Sequence, residues 1–147
     1  MASIGDFMSR GHKDCDEAFA RAEESAGKDW SATEAKFNIF VRSMQQHLAM
    51  EEDVLFPAFE EQTGMSGGGP TETMRIEHEQ MRRLFDEIQQ AVTARDANQY
   101  LGLFETLMLL MQQHNLKEES MLYQMMDEVL GAQSADLIGR CNALEPA

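Results

Sequence analysis

HLAMEEDVLFP, at residues 47–57, and HNLKEESMLYQ, at residues 114–124, are the two stretches that decide the fold. Both follow the pattern His-x-x-x-Glu-Glu-x-x-Leu-aromatic, and they begin 67 residues apart. The two remaining histidines of the chain, His12 and His78, are 66 residues apart. The sequence therefore indicates an internal repeat of two similar units, each with one lone histidine and one His-x-x-x-Glu pair.

The segments around the four histidines have the pattern of long helices. Apolar residues recur at helical spacing, and no stretch alternates with period two for long enough to predict a strand. Short loops between long helices favour an antiparallel arrangement. The predicted fold is all-α, an antiparallel up-down four-helix bundle with a short fifth C-terminal helix, and residues 1–147 are expected to form a single domain. The predicted helices run from Ile4 to Ala26, from Ser31 to about Pro57, from Thr71 or Thr73 to about Ala94, from Asp96 to about Leu130, and from Ser134 to about Leu144.

Several residues predict where these helices begin and end. Ser31 followed by Glu34 matches a capping box, and Asp96 is a favourable N-cap. Pro57 is expected to end or bend the second helix, because proline lacks the backbone N–H of a helix interior. The glycine-rich stretch from residue 64 to residue 70 is the clearest break in the chain, and Gly131 is expected to stop the fourth helix.

Composition excludes several classes of function. The chain has 147 residues, with 12 Lys and Arg against 26 Asp and Glu, a formal charge of −14. Such an acidic chain is repelled by phosphate backbones and anionic lipid surfaces, so neither nucleic acid nor a membrane is an expected partner. No apolar run approaches the ~20 residues of a membrane span, and the N-terminus does not resemble a secretory signal. Two cysteines form no disulfide framework, which favours a cytoplasmic location.

The two repeated pairs place ligands of the same kind on one helix face. Residues i and i+4 lie one turn apart, so His47 with Glu51, and His114 with Glu118, can each point at one centre. At ~1.5 Å per residue, the helix lengths bring both pairs, together with His12 and His78, to about one level of the bundle. Imidazole and carboxylate suit iron, manganese and zinc, and a carboxylate can bridge two metals. The sequence therefore predicts a metal site.

Other interpretations of these residues stay open at the sequence level. A helical bundle without metal is the plain alternative, since single histidines on helices are usually structural. A ferritin-like site requires an acid three residues before each histidine, and the chain has none there. Asp16 either orients His12 or is solvated, Cys15 is expected to be a buried small residue, and Tyr123 is expected to pack, with a hydroxyl near the centre as the minority interpretation.

The pattern resembles the hemerythrin-like family, the cation-binding domains named for their His-His-Glu pattern. The resemblance extends from His12 to about Tyr123 and covers both repeated motifs. It implies a four-helix bundle that holds two iron ions joined by an oxo or hydroxo bridge, although manganese and zinc fit the same ligand types. Carried over to this chain, it implies two bridging carboxylates, Glu51 and Glu118, and four terminal ligands, His12, His47, His78 and His114.

The chain departs from the oxygen-carrying hemerythrins in two places. Those proteins have a fifth histidine one turn from the lone histidine of the third helix, where this chain has Met74 and Arg82. They also place the last bridging acid five residues after its histidine, at Glu119 here, whereas the internal repeat favours Glu118. The missing fifth histidine counts against dedicated oxygen carriage, because it leaves open positions of the kind that reactive metal sites keep.

The expected function is binding of, or reaction with, O2, peroxide or nitric oxide at the four histidines and two glutamates. As an enzyme, the protein would be a peroxide- or nitric-oxide-detoxifying oxidoreductase of the stress response. The alternative is a metal-dependent sensor, interaction or iron-handling module without turnover. The expected partners are a diatomic ligand or peroxide, and the chain alone leaves monomer and homodimer equally open.

Overall fold

The computed structural model describes residues 3–65 and 67–144 of the chain, and these form helices and short connections without strands. The helices are α1 (Ile4–Glu24), α2 (Trp30–Met50), α3 (Phe56–Thr63), α4 (Pro70–Ala94), α5 (Ala97–Lys117), α6 (Tyr123–Leu130) and α7 (Ser134–Asn142).

Two short π-helical turns join these helices into four long rods. The turn Glu51–Leu55 connects α2 to α3 without a break, and the turn Glu118–Leu122 connects α5 to α6 in the same way. With α1 and α4 these make the four helices of the bundle, and α7 is the short fifth helix. The predicted all-α bundle with a short C-terminal helix is therefore confirmed.

Some of the expected helix ends are wrong. Asp29, rather than Ser31, caps α2, because its carboxylate accepts hydrogen bonds from the backbone N–H groups of Ser31 and Ala32. The second rod does not end at Pro57 but continues to Thr63, with the proline in the first turn of α3 directly after the π-turn. The expected cap at Asp96 is confirmed by its bond from the N–H of Gln99.

The ends of the other helices differ from expectation by a few residues. α1 ends at Glu24 rather than Ala26, and α7 ends at Asn142 rather than Leu144. α4 begins at Pro70, before either threonine that was expected to start it, because proline suits the first helical position. None of the helices in the described ranges is long and apolar enough to cross a lipid bilayer.

The apolar core is divided into two parts by a polar layer. One part is rich in aromatic rings and includes Phe40, Phe104 and Tyr100. The other part includes Phe56, Phe59 and Met126. The buried histidines and glutamates lie between the two parts along each rod. Six methionines are buried in these cores: Met8, Met44, Met74, Met81, Met111 and Met126.

Candidate metal centre

The structure brings all six of the residues expected as metal ligands into the polar layer. Each of the four rods contributes to it, and each of the six side chains is at most 6% exposed. The layer consists of His12 from α1, His47 from α2, Glu51 from the first π-turn, His78 from α4, His114 from α5 and Glu118 from the second π-turn.

The six residues divide into two groups that share one carboxylate. In the first group, ligand atoms of Glu51, His78, His114 and Glu118 all lie within 4.8 Å of one another. In the second, the same holds for His12, His47 and Glu118. Each half of the repeat thus supplies one pair of histidines, with ring centroids 4.7 Å apart in one pair and 5.0 Å in the other. The geometry offers two neighbouring positions for a cation, with Glu118 common to both.

The inward-facing atoms of this layer lack the partners that buried polar atoms normally have. Nε2 of three histidines has no hydrogen-bond partner, and neither has one oxygen of each glutamate. Nε2 of His78 lies 3.0 Å from Oε1 of Glu51, without the alignment of a hydrogen bond. Two ligands at about 2.1 Å from one ion, at right angles, are about 3.0 Å apart. Orphaned lone pairs at this spacing fit a metal centre, since unpaired buried polar atoms are otherwise costly.

Three carboxylates orient three of the histidines from outside. In each case the contact is made by the outer nitrogen, Nδ1. That of His12 lies 2.5 Å from Oε2 of Glu119, and that of His78 lies 2.7 Å from Oε2 of Glu52. That of His114 lies 2.8 Å from Oε1 of Glu77. A carboxylate only accepts, so each of these Nδ1 atoms carries a proton, and the neutral ring would present the lone pair of its Nε2 to a cation. We call Glu52, Glu77 and Glu119 the outer carboxylates.

Two of the outer carboxylates are themselves held in place by cations. Arg82 donates from both terminal nitrogens to the two oxygens of Glu52, at 2.8 and 2.9 Å. Burial alone would raise the pKa of Glu52, but its bonds to His78 and Arg82 lower it to about 2. Lys117 forms an ion pair with the second oxygen of Glu77. These contacts hold the two carboxylates in place and so fix the rings that they orient.

Tyr123 brings a hydroxyl group into the layer. Its oxygen lies 2.7 Å from Oε2 of Glu51 and 3.0 Å from Oε1 of Glu118, while its ring stacks on His12. Burial and the two neighbouring carboxylates raise the pKa of Tyr123 well above its ordinary value, so the hydroxyl keeps its proton. The repeat-related residue, Phe56, stacks on His78 in the same manner but has no hydroxyl. The two cation positions are therefore chemically different.

Without a metal, the histidines and glutamates of the layer share protons. Burial alone would lower the pKa of His12 and His78, but neighbouring carboxylates raise both to about 9. Burial and the charge of His12 lower the pKa of His47 to about 3. Burial and the charge of Glu118 raise the pKa of Glu51 to about 7. Burial alone would raise the pKa of Glu118 too, but its bonds to Glu51 and the nearby histidines lower it. A cation entering the layer must displace these protons.

Several of these contacts were not apparent in the sequence. Glu119 rather than Asp16 orients His12, because Asp16 points to solvent on α1. Glu119 is 44% exposed and contacts the outer side of the layer, whereas Glu118 is fully buried within it. Cys15 is buried as expected, and burial raises the pKa of its thiol to about 11. Two of the outer carboxylates, Glu52 and Glu119, could have been identified from the sequence, because each is the second glutamate of a repeated motif.

Comparison with known proteins identifies the family. The family model of the hemerythrin HHE cation-binding domain matches residues 3–126, which include all six residues of the layer. No curated protein and no solved structure matches the chain. The match and the buried His and Glu cluster together indicate a metal-binding protein, with iron as the metal that the family suggests. The chain belongs to the hemerythrin HHE cation-binding family.

Proposed function

We propose that this protein holds two iron ions in the six-residue layer and that the loaded centre binds or reacts with O2, peroxide or nitric oxide. His12 and His47 would bind one ion, and His78 and His114 the other. Glu118 would bridge them, with Glu51 as the second bridge. Manganese or zinc would fit the same atoms, but the family match favours iron.

The observation that carries the proposal is the convergence of orphaned atoms on two adjoining positions. Ligand atoms from all four rods lie in two groups that share Glu118. Nε2 of three of the histidines and one oxygen of each glutamate lack hydrogen-bond partners, while three of the four outer nitrogens are paired with carboxylates. A purely structural polar layer would satisfy its buried atoms internally.

The chain's own residues suit reaction rather than simple storage. When bound, a pair of irons supplies one-electron redox chemistry and open positions for small oxygen or nitrogen species. Tyr123 holds a proton at its hydroxyl between the two glutamates, where it can be delivered to a small ligand. The apolar cores on either side keep bulk water from the layer, which strengthens every electrostatic interaction inside it.

The proposal is tested by the visible spectrum of the reduced, iron-loaded protein on separate exposure to O2, hydrogen peroxide and nitric oxide. We expect a spectral change with at least one of the three that free iron under the same conditions does not give. Glu118→Ala should abolish it, because both cation positions lose their shared ligand. Glu105→Ala removes an exposed carboxylate from α5 and should leave the change intact.

Two results would contradict the proposal. Failure of the purified protein to bind iron would remove the centre altogether. Stable binding of two irons without a response to any of the three ligands would leave the alternative, a sensor or iron-handling module without turnover.

A further inference from the structure

The four histidines of the layer differ in the groups that contact their outer nitrogens. Nδ1 of His12, His78 and His114 each meets an outer carboxylate. Among residues 3–65 and 67–144, no carboxylate oxygen lies within ion-pair distance of His47. Its Nε2 faces the layer without a partner, so its Nδ1 is the outer nitrogen.

The internal repeat explains why His47 lacks a carboxylate. Glu77, which bonds to His114, directly precedes the lone histidine of its half of the chain. The equivalent position before His12 is Gly11. A Cβ atom added at Gly11 would lie 2.7 Å from Nδ1 of His47, so the ring lies against the backbone of α1 and no side chain fits between them. The fourth carboxylate is therefore missing from the chain itself.

A cavity of about 350 Å³ lies at this position, between α1, α2 and α7. Its walls include Arg10, Asp14, Ser43, Gln46 and His47. Oε1 of Gln46 is buried and has no hydrogen-bond partner among the described residues, while Nε2 of the same amide donates to the carbonyl oxygen of Leu144. Since a water molecule occupies about 30 Å³ of liquid volume, the cavity has room for a small solute together with water.

We propose that this cavity binds a small carboxylate-type oxyanion, which accepts the Nδ1 proton of His47 in the way that Glu77 accepts that of His114. The proposal rests on metal binding by the layer, because a cation at Nε2 polarises the ring and makes Nδ1–H a stronger donor. Arg10 supplies the positive charge that an anion requires at the cavity wall, and the hydroxyl of Ser43 is a further donor.

Such a site would make one cation position responsive to solutes. The acceptor on Nδ1 sets the basicity and orientation of a metal-bound imidazole, so occupancy of the cavity would tune the position held by His12 and His47. At the other position, the acceptors for His78 and His114 are carboxylates of the chain itself, so this position would not respond to the oxyanion. The cavity thus adds a regulatory ligand site beside the centre.

The test uses the full-length protein loaded with zinc, a diamagnetic ion, and formate as the probe. The imidazole N–H proton signals of the four histidines are followed by NMR while formate replaces chloride at constant ionic strength. We expect the His47 signal alone to move downfield in a saturable manner. Signals of His12, His78 and His114 should stay, because their protons already bond to carboxylates.

Two variants with the same change of charge distinguish a specific anion site from a general effect of charge on formate binding. Arg10→Gln should weaken formate binding about tenfold, through loss of a charge-assisted bond. Lys13→Gln makes the same change of charge one turn further along α1, outside the walls of this cavity, and should have no such effect. Asp14→Asn tests whether the exposed Asp14 side chain already fills the position.

Each contrary outcome is distinguishable. Zinc that fails to bind removes the metal centre and this proposal with it. Bound zinc with an unmoved His47 signal overturns the oxyanion site alone. Equal movement of the His12 and His47 signals, unaffected by Arg10→Gln, would place formate on the metal instead. A shift of the His47 signal in Asp14→Asn without formate would assign the acceptor role to Asp14.

Discussion

At the scale of single residues, the two halves of the centre differ by a few atoms with large chemical effects. Tyr123 and Phe56 stack on equivalent histidines, but only Tyr123 carries a hydroxyl. Glu77 and Gly11 occupy equivalent positions, but only Glu77 carries a carboxylate. The repeat provides the common scaffold, and these substitutions make the two cation positions unequal.

The hydroxyl of Tyr123 is predicted to serve reaction rather than metal binding. Tyr123→Phe keeps the ring that stacks on His12, so we expect two irons per chain to remain. The rate of reaction with hydrogen peroxide should fall by about 100-fold, the lower range for loss of a positioned proton donor. Stopped-flow spectroscopy measures this rate.

The control for that variant is Tyr100→Phe, which removes a buried hydroxyl that donates to the carbonyl oxygen of Ala22 in the aromatic core. It should lower the stability of the fold but leave the peroxide rate of the folded protein unchanged. Equal rates in the Tyr123→Phe variant and the unaltered protein would show that the hydroxyl has no part in the reaction.

Gly11 is predicted to be required by the close approach of His47. In Gly11→Ala the new Cβ would meet the ring at 2.7 Å and push it from the layer, so metal affinity should fall. Gly102→Ala, on α5, meets nothing within 4 Å and should raise stability by about 0.5–1 kcal/mol without affecting metal. Competition with a chelator gives both affinities, and equal values would contradict the close-approach argument.

At the scale of helices, the two π-turns connect the ligand motif to the residues that follow it. Each turn begins at the buried glutamate of its motif, Glu51 or Glu118. The backbone N–H of the aromatic residue five positions later bonds to the carbonyl of that glutamate. This wider turn stacks Tyr123 directly below Glu118, where its hydroxyl reaches both carboxylates. Such turns are frequent at functional sites.

The outer carboxylate on α4 is predicted to support metal binding through the ring that it orients. Glu77→Gln weakens the acceptor at Nδ1 of His114 and breaks the ion pair with Lys117, so metal affinity should fall about 10- to 100-fold. Glu79→Gln, two residues further on the same helix, alters an exposed carboxylate that contacts Arg82 and should change affinity little. Equal affinities, measured by chelator competition, would remove Glu77 from the support of the centre.

The sequence predicts the helices and the residues of the buried layer better than their surroundings. The His-x-x-x-Glu spacing places two side chains on one face of a helix, and the offset between the histidines indicates that they share a level. The π-turns leave no comparable pattern, because each adds one residue to a turn, and the second has no glycine or proline beside it to mark the place. The contact between Glu77 and His114 could not be predicted from the sequence either, because it joins side chains of two different helices that are 37 residues apart.

At the scale of the whole molecule, the fold buries a layer of ionisable groups between two apolar cores. Without a cation, that layer is costly, because the surrounding cores exclude the water that would solvate its charges. A metal that binds only the folded state stabilises it by mass action. At a free metal concentration a thousand times the dissociation constant, this amounts to about 4 kcal/mol, or a rise of roughly 10 °C in melting temperature.

The stability of the metal-free protein is predicted to fall as the pH rises from 6.5 to 9. The pKa values of His12 and His78 are raised from 6.5 to about 9 in the folded state. Their protonated forms therefore stabilise the fold fully below pH 6.5, and this contribution is lost as the pH rises through 9. Glu51, whose pKa is raised to about 7, acts in the same direction.

Thermal melts of the metal-free protein across this pH range provide the measurement. The metal-loaded protein should lack the decline, because its imidazoles are already neutral ligands. A metal-free protein that is equally stable at pH 6.5 and pH 9 would contradict the assignment of shared protons to the layer.

If the six-residue layer holds two metal ions, the number of irons bound per chain shows it. Metal analysis after reconstitution with excess ferrous iron and removal of the unbound fraction gives that number. We expect two irons per chain in the unaltered protein and none retained in Glu118→Ala, since Glu118 belongs to both positions. One iron or none in the unaltered protein, or two in the variant, would contradict it.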